Sequence, residues 1–252
     1  MALTRRDAPA IRAPVMTAHK PGDPLTLNRL YGRAKGKPLR QGQQGLIDQL
    51  LPAISVPLEG EVTAAVLFGR DCPLHFEIGF GGGEHLAFRA DLLPDHGFIG
   101  GEPFLNGVAQ ALVHLDGDGG QSAPIRNVRI HHGNALEVLA RVPDGALSFV
   151  YLLHPDPWPK ARHAKRRMMN PGPVDLIARK LKPGGEFRFG TDHPVYLRHA
   201  LMIMRQFSDR FDWRAAAPRD FQVRPSGWPQ TRYEAKAHAQ GHEVWYFRYM
   251  RR

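Results

Sequence analysis

The stretch Phe76-Glu77-Ile78-Gly79-Phe80-Gly81-Gly82-Gly83 decides the fold, because it joins an apolar run to a helical pattern through closely spaced glycines. The apolar run at residues 74–79 predicts a buried strand, and the periodic residues at 84–91 predict a helix. In open parallel sheets, ligands bind at the carboxyl ends of the strands, where glycine permits a tight turn and a close approach. The stretch therefore predicts a ligand-binding strand–loop–helix unit.

The glycine spacing distinguishes this loop from two common phosphate-binding loops. A dinucleotide fingerprint would place its last glycine where the chain has Glu84, and no Walker-type lysine follows. Glu77, at the entrance to the loop, would repel a pyrophosphate but attract a cationic amino acid or a sulfonium group. The pattern therefore favours a ligand without phosphates.

From this loop outward, strands and helices alternate along the chain. Further strands are predicted at 97–102, 128–132, 147–153 and 186–191, with helices at 104–115, 135–141, 173–181 and 194–207. Such alternation predicts an α/β domain in which helices cover both faces of a parallel sheet. An aromatic, strand-like run at 243–250 predicts that the sheet closes with an antiparallel pair. Ahead of the sheet, residues 43–51 predict a short helix that Pro52 ends.

Polar residues follow the predicted strands at the edge where a ligand would bind. Glu102 closes the second strand and can accept hydrogen bonds from two ribose hydroxyls. Asn134 follows the third strand, and its amide offers a donor and an acceptor to an adenine edge. An acid at a strand end is more often a helix cap or a surface residue, but three such positions on successive strands favour one ligand. S-adenosylmethionine fits best, with its amino-acid end near Glu77 and Gly79.

A second polar stretch, His154-Pro155-Asp156-Pro157-Trp158-Pro159-Lys160, follows the predicted fourth strand. It sets a carboxylate, an aromatic ring and a lysine on a loop that prolines stiffen. The chain has a formal net charge of +10, which favours a polyanionic partner, nucleic acid before an anionic membrane. A dense cationic patch continues the loop, and we predict that it contacts RNA through Arg162, His163, Lys165, Arg166 and Arg167.

The 252 residues suit one large domain with an extension. Residues 1–42 are rich in Pro, Gly, Arg and Lys and predict a flexible basic arm, in which Tyr31-Gly32-Arg33 places an aromatic ring among cations. Residues 43–252 are predicted to form the folded domain. The sequence predicts neither an obligate protein partner nor one oligomeric state; a monomer or a homodimer is expected.

Several other classes of protein are excluded or disfavoured. The one cysteine, Cys72, excludes an intramolecular disulfide framework and a cysteine-rich zinc site. No apolar run reaches the roughly 18 residues of a membrane span, and no secretory signal is present, so a cytoplasmic location is expected. His131 and His132 point to opposite faces of a strand and cannot chelate one ion well, so no metal is predicted.

Four motifs together resemble the tRNA (guanine-N7)-methyltransferase family, in its bacterial single-chain form. They are Glu77-Ile78-Gly79-Phe80-Gly81, Asp156-Pro157-Trp158-Pro159-Lys160 with its basic tail, Thr191-Asp192, and Thr231-Arg232-Tyr233-Glu234. The second motif is specific, whereas most class I methyltransferases share the first. The resemblance implies a Rossmann-like class I fold with a mostly parallel seven-stranded sheet. It also implies transfer of a methyl group from S-adenosylmethionine to N7 of a guanosine in the tRNA variable loop.

The resemblance also implies roles for individual residues. The cofactor-lining positions of the family correspond here to Glu77, Glu102, Asn134 and Asp156. The substrate-binding positions correspond to Lys160, Asp192, Thr231, Arg232, Tyr233 and Glu234. Asp156 is implied as the catalytic residue. Asn134 stands where the family often has aspartate, which keeps hydrogen bonding but removes a charge.

The chemistry of guanine agrees with these roles. N7 carries a lone pair and no proton at neutral pH, so attack on a sulfonium methyl group needs alignment rather than a base. A fixed carboxylate such as Asp156 can stabilise the positive charge that arrives on the purine. Asp192 and Glu234 suit the N–H donors on the pairing edge of guanine, and Lys160 can reach O6 or a phosphate. Trp158 either stacks on a base or plugs the core.

The sequence leaves two other functions open. The first is an adenine-N6 methyltransferase, whose motif places an aromatic residue after two prolines, whereas here Trp158 precedes the second proline. The other is a non-catalytic RNA-binding module, against which the glycine loop and Glu102 argue.

Overall fold

The structure, a computed structural model, describes residues 36–117 and 123–252. The predicted basic arm, with its Tyr31-Gly32-Arg33 segment, lies almost wholly outside these residues, so its boundary at residue 42 stays a prediction. Over the described part of the chain, no helix is both long and apolar enough to cross a membrane. The same part contains no group of three or more His, Cys, Asp or Glu placed to hold a metal ion.

A seven-stranded sheet forms the centre of the described fold. The strands are β1 (Leu74–Ile78), β2 (Gly97–Glu102), β3 (Val128–His132), β4 (Leu147–Leu153), β5 (Leu181–Thr191), β6 (Phe211–Trp213) and β7 (Trp245–Arg251). Their order is β3-β2-β1-β4-β5-β7-β6, and the first five pair in parallel. β7 pairs antiparallel with both β5 and β6, which confirms the predicted closure. The parallel strands therefore bring their carboxyl ends to one edge.

Helices cover both faces of the sheet, as predicted. They are α1 (Gln41–Ile54), α2 (Ala64–Phe68), α3 (Glu84–Leu92), α4 (Leu105–Leu115), α5 (Ala135–Arg141), α6 (Pro171–Lys180), α7 (Pro194–Gln206), α8 (Arg219–Gln222) and α9 (Arg232–Ala239), with a 3₁₀ helix at Ala161–Arg166. One core packs Phe76 and Phe187 against Tyr196 of α7. A second packs Phe98 against Leu112 of α4. Apolar burial on both faces stabilises a sheet of this kind.

The predicted ends of the elements are right in some places and wrong in others. β2, β3, β4 and α5 have the predicted bounds residue for residue. Pro52 does not end α1, which continues to the buried Ile54, because a proline this near the end removes only one backbone hydrogen bond. β5 begins at Leu181 rather than Glu186, since Leu181 already pairs with Leu147 ahead of a register shift. β6, α2, α8 and α9 were not predicted.

Candidate active site

The glycine loop between β1 and α3 leaves space for a ligand. Gly79 has φ +70°, and no atom lies within 4 Å of the point that a Gly79 side chain would occupy. Gly83 has φ +80°, and a Cβ there would lie 2.5 Å from the Cβ of Ala111. Gly83 is therefore required for packing against α4, whereas Gly79 borders an open cradle. This open cradle leaves room for the amino-acid end of a nucleoside ligand.

Glu102, at the carboxyl end of β2, holds the glycine loop in place. Its carboxylate accepts the backbone N–H of Gly81 at 2.8 Å and that of Phe104 at 2.8 Å. Burial raises the pKa of Glu102, and the charge of Asp156 acts in the same direction. A carboxylate has four lone pairs, so both oxygens keep capacity for ribose hydroxyls.

Glu77 lies near the carboxyl end of the buried strand β1 and has a partner that the sequence did not predict. Its Oε2 is 2.7 Å from Nδ1 of His85, and the two residues are only 4% and 2% exposed. His85 lies in the first turn of α3, next after Glu84. The sequence signal for this contact is a histidine in the first turn of the helix after the glycine loop, because that helix packs against its own strand.

Asn134 caps α5 from the end of β3. Its Oδ1 accepts the N–H of Leu136 at 3.1 Å, and the residue is 4% exposed. The cap fixes the amide at the binding edge of the sheet. Its predicted contact with adenine stays a prediction.

The loop after β4 has an unusual backbone at both ends. His154 has φ +49° and Trp158 has φ +41°, and no other non-glycine residue in the described part of the chain has a positive φ. Each such residue costs about 1–2 kcal/mol, so surrounding contacts must hold the loop. The N–H of His154 donates to the carbonyl of Gly190 at 2.8 Å, and the guanidinium of Arg167 donates to the carbonyl of Trp158 at 3.0 Å.

Asp156 lies at the centre of this loop. Its side chain keeps access to solvent, yet the protein around the carboxyl group desolvates it enough to raise its pKa. β2, β1 and β4 are neighbouring parallel strands, so Glu102, the glycine loop and Asp156 all follow strands at the same carboxyl edge of the sheet. The loop after β4 and the glycine loop therefore face one site.

Asp192 follows β5 and lies at the same carboxyl edge of the sheet. Its Oδ1 is 3.8 Å from Nδ1 of His154, and its Oδ2 is 3.5 Å from Nδ1 of His242. His154 is the main cause that lowers the pKa of Asp192 to about 2. Asp192 thus stays ionised and fixed beside the loop that carries Asp156.

The first turn of α9 packs against the glycine loop. Thr231 caps this helix, and its Oγ1 accepts the N–H of Glu234 at 3.2 Å. The ring of Tyr233 comes within 3.0 Å of the point that a Gly81 side chain would occupy. Nε of Arg232 lies 3.5 Å from Oε1 of Glu84. Two predicted substrate residues therefore border the predicted cofactor loop.

Glu234 occupies a different environment from Arg232 and Tyr233. It is 3% exposed, and its carboxylate accepts the hydroxyl of Tyr246 at 2.6 Å. This contact ties α9 to β7. The predicted contact between Glu234 and guanine stays a prediction, and the buried position gives this side chain a structural role as well.

The cationic patch after the loop divides into two groups. Arg162 and Lys165 are exposed, as is Lys160 before them. Arg166 lies over the ring of Trp158, with 4.9 Å from its Cζ to the ring centroid, and the half-buried His163 packs edge-on against the same ring at 5.7 Å. The ring of Trp158 therefore packs against residues of the cationic patch.

The predicted RNA contact of Arg167 needs correction. The residue is 6% exposed, and its guanidinium donates to the carbonyls of Pro157 and Trp158. A side chain buried beneath the loop in this way holds the backbone that carries Asp156. The charge pattern of the sequence could not distinguish it from its exposed neighbours.

The fold and the site define a class I methyltransferase. Over residues 71–247 the chain matches a family described as putative methyltransferases. A solved 16S rRNA methyltransferase, KamB, superposes with a TM-score of 0.51 at 12% identity, over 78% of this chain and 98% of that one. At that identity the likeness supports the fold alone.

Two curated relatives narrow the family. The tRNA (guanine-N(7)-)-methyltransferase of Sphingopyxis alaskensis is 79% identical over 237 residues, which are 94% of this chain and 100% of that protein. The protein of the same name from Rhodospirillum rubrum is 44% identical over 238 residues, 92% of this chain and 91% of that protein. The chain belongs to the tRNA (guanine-N7)-methyltransferase family, which confirms the resemblance.

Proposed function

We propose that this protein transfers the methyl group of S-adenosylmethionine to N7 of a guanosine in the variable loop of tRNA, forming 7-methylguanosine. One observation carries the proposal: the strained loop with Asp156, the glycine loop and Glu102 follow neighbouring parallel strands and so lie at one edge of the sheet. The names of the relatives supply the tRNA substrate. Because tRNA is a cytoplasmic substrate, the proposal includes a cytoplasmic location.

The residues of the glycine edge fit S-adenosylmethionine, which supplies an electrophilic methyl group on a sulfonium. Gly79 leaves the backbone open to the amino-acid end, and the negative charge of Glu77 suits that cationic end. Glu102 accepts ribose hydroxyls while it holds the loop, which its position at the carboxyl end of β2 and its remaining lone pairs support. Asn134 presents its amide at the end of the neighbouring strand.

The loop after β4 aligns the guanine and offsets its charge. N7 has no proton to lose, so Asp156 acts as an anion beside the purine rather than as a strong base. Correct orientation of two reactants can supply about 7–11 kcal/mol of the barrier, and a preorganised carboxylate adds electrostatic stabilisation. The hydrogen bonds that hold the strained backbone at His154 and Trp158 fix the loop that carries Asp156.

The exposed cations beside the loop suit the tRNA backbone. Lys160, Arg162 and Lys165 are placed to neutralise phosphates next to the reactive edge. Asp192, ionised at neutral pH, is suited to accept the N–H donors of guanine.

A labelling experiment tests the proposal. The protein is incubated with bulk tRNA and methyl-labelled S-adenosylmethionine, and the RNA is cleaved at 7-methylguanosine with borohydride and aniline. We expect cleavage within the variable loop and label in 7-methylguanosine. Label in N6-methyladenosine, or none at all, would contradict the proposal.

A further inference from the structure

A second cationic region lies away from the predicted RNA patch. A cavity of about 460 Å³ lies between the segment after β6 and strand β7. Four arginines line it, together with Asp220, Val223, Pro225 and Ser226; they are Arg214, Arg219, Arg224 and Arg248.

The arginine-lined cavity lies beside β7, whereas the patch after the β4 loop borders α7. Phe189 stacks on Tyr196 of α7, and the patch after the β4 loop borders α7 through Val195. Arg188 is adjacent to Phe189 in β5 and pairs with Arg248 of β7. Since successive side chains of a strand alternate between faces, Arg248 points away from α7, whereas α8 packs on the α7 face, so the cavity spans the edge of β7.

The cavity keeps positive charge that neighbouring acids do not cancel. Glu186 binds Arg248 at 2.7 and 3.0 Å, but it also binds Arg188 at 2.7 Å, so one carboxylate is shared by two guanidinium groups. The carboxylate of Asp220 accepts the backbone N–H of Ala216 and Ala217 at 2.8 and 2.9 Å. Arg214 and Arg219 are exposed, and no acid in the described residues lies within ion-pair distance of either.

The cavity is also connected to the reactive edge. Nε of Arg224 lies 3.6 Å from Oε1 of Glu234, in the helix whose first turn covers the glycine loop. An anion in the cavity would therefore lie close to α9, the helix that carries Arg232 and Tyr233. Exposed guanidinium groups match the geometry of phosphates, and they suit the repeated phosphates of a long polyanion.

We infer that this arginine-lined cavity at the edge of β7 binds backbone phosphates of the tRNA substrate, apart from Arg162 and Lys165. The inference rests on the proposed function and extends it. The tRNA then contacts the protein at two separate cationic regions, so its affinity depends on both.

The test is the double variant Arg214→Ala/Arg219→Ala, which leaves the arginines that contact Glu186 and Glu234 in place. Binding of tRNA is measured between about 50 and 200 mM salt. We expect roughly threefold to tenfold weaker binding and a salt dependence reduced by about one to two ions. KM for tRNA should rise, while kcat and S-adenosylmethionine binding should match those of the wild type.

A matched control removes two charges elsewhere. Arg126→Ala/Lys182→Ala changes two exposed cations at the amino-terminal edge of the sheet, far from the carboxyl edge. Unchanged tRNA affinity in the first variant, or an equal loss in the control, overturns the inference. So does competition by inorganic phosphate or a nucleoside triphosphate at the cavity without any effect of the variant on tRNA.

The outcome is separable from that of the proposed function, because binding and methylation are measured apart. If the wild type methylates N7 but the first variant binds tRNA normally, only the inference fails. If the wild type shows no methylation but the variant binds tRNA more weakly, the inference stands and the proposed activity fails. Thermal unfolding of both double variants confirms that each is folded.

Discussion

The two loops at the reactive edge reach their shapes by different means. The glycine loop turns at residues that adopt a positive φ at little cost, such as Gly79 and Gly83. The loop after β4 turns at His154 and Trp158, for which the same backbone is costly, and neighbouring contacts hold it. Glycine lets the first loop turn without strain, with Glu102 holding it, whereas the second loop is strained and depends on the folded protein around it.

The largest effect is expected at the centre of the second loop. Asp156→Ala should lower kcat by a factor of about 100 to 1000, the usual loss when one preorganised electrostatic group is removed. Binding of S-adenosylmethionine should weaken far less, because Glu102 and the glycine loop remain. Single-turnover methylation and calorimetry measure the two. Activity within threefold of the wild type would remove Asp156 from its proposed role.

A pair of glycine variants tests the first loop. Gly83→Ala combines a positive φ with a Cβ only 2.5 Å from that of Ala111, so it should lower the free energy of unfolding by about 2–5 kcal/mol. Gly79→Ala has the strain without the clash and should cost about 1–2 kcal/mol. Denaturant titration measures both. Equal losses would show that contact with α4 does not constrain Gly83.

Arg167→Ala tests whether the second loop needs outside support. The change leaves the carbonyls of Pro157 and Trp158 without their donor, and it should destabilise the protein by about 1–3 kcal/mol. It should also lower kcat, because Asp156 loses its fixed position. Arg162→Ala is the matched control and should raise only KM for tRNA. If both variants change KM alone, Arg167 is an RNA contact after all.

The smallest effect concerns acid stability at Asp192. Its pKa is lowered to about 2 in the folded protein, below the ordinary value near 3.9 of an unfolded chain. The carboxylate therefore contributes stability above about pH 4, and that contribution is lost as the pH falls towards 2. The free energy of unfolding of Asp192→Asn should fall less steeply over this range. A slope like that of the wild type would show that His154 does not stabilise the charge.

The features that the sequence predicts and those that it does not differ in the same way as the two loops. The alternation of strands and helices, and the positions of Glu102 and Asn134 at strand ends, depend on local patterns, so the sequence predicts them. Neither the strain at Trp158 nor the burial of Arg167 can be predicted in this way, because both depend on contacts with the folded loop. Within a run of cations, no local signal marks the one that points inward.

The order of the last two strands has a kinetic consequence. β6 comes first in the chain, yet in the sheet it pairs with β7. It must therefore wait for β7 to insert beside β5, which requires closing the chain between residues 213 and 245. α9 and the arginine-lined cavity both belong to that stretch. We therefore expect the backbone amides of β6, α9 and the segment that lines the cavity to gain protection from hydrogen exchange together. This protection should come late in refolding, after that of the parallel strands.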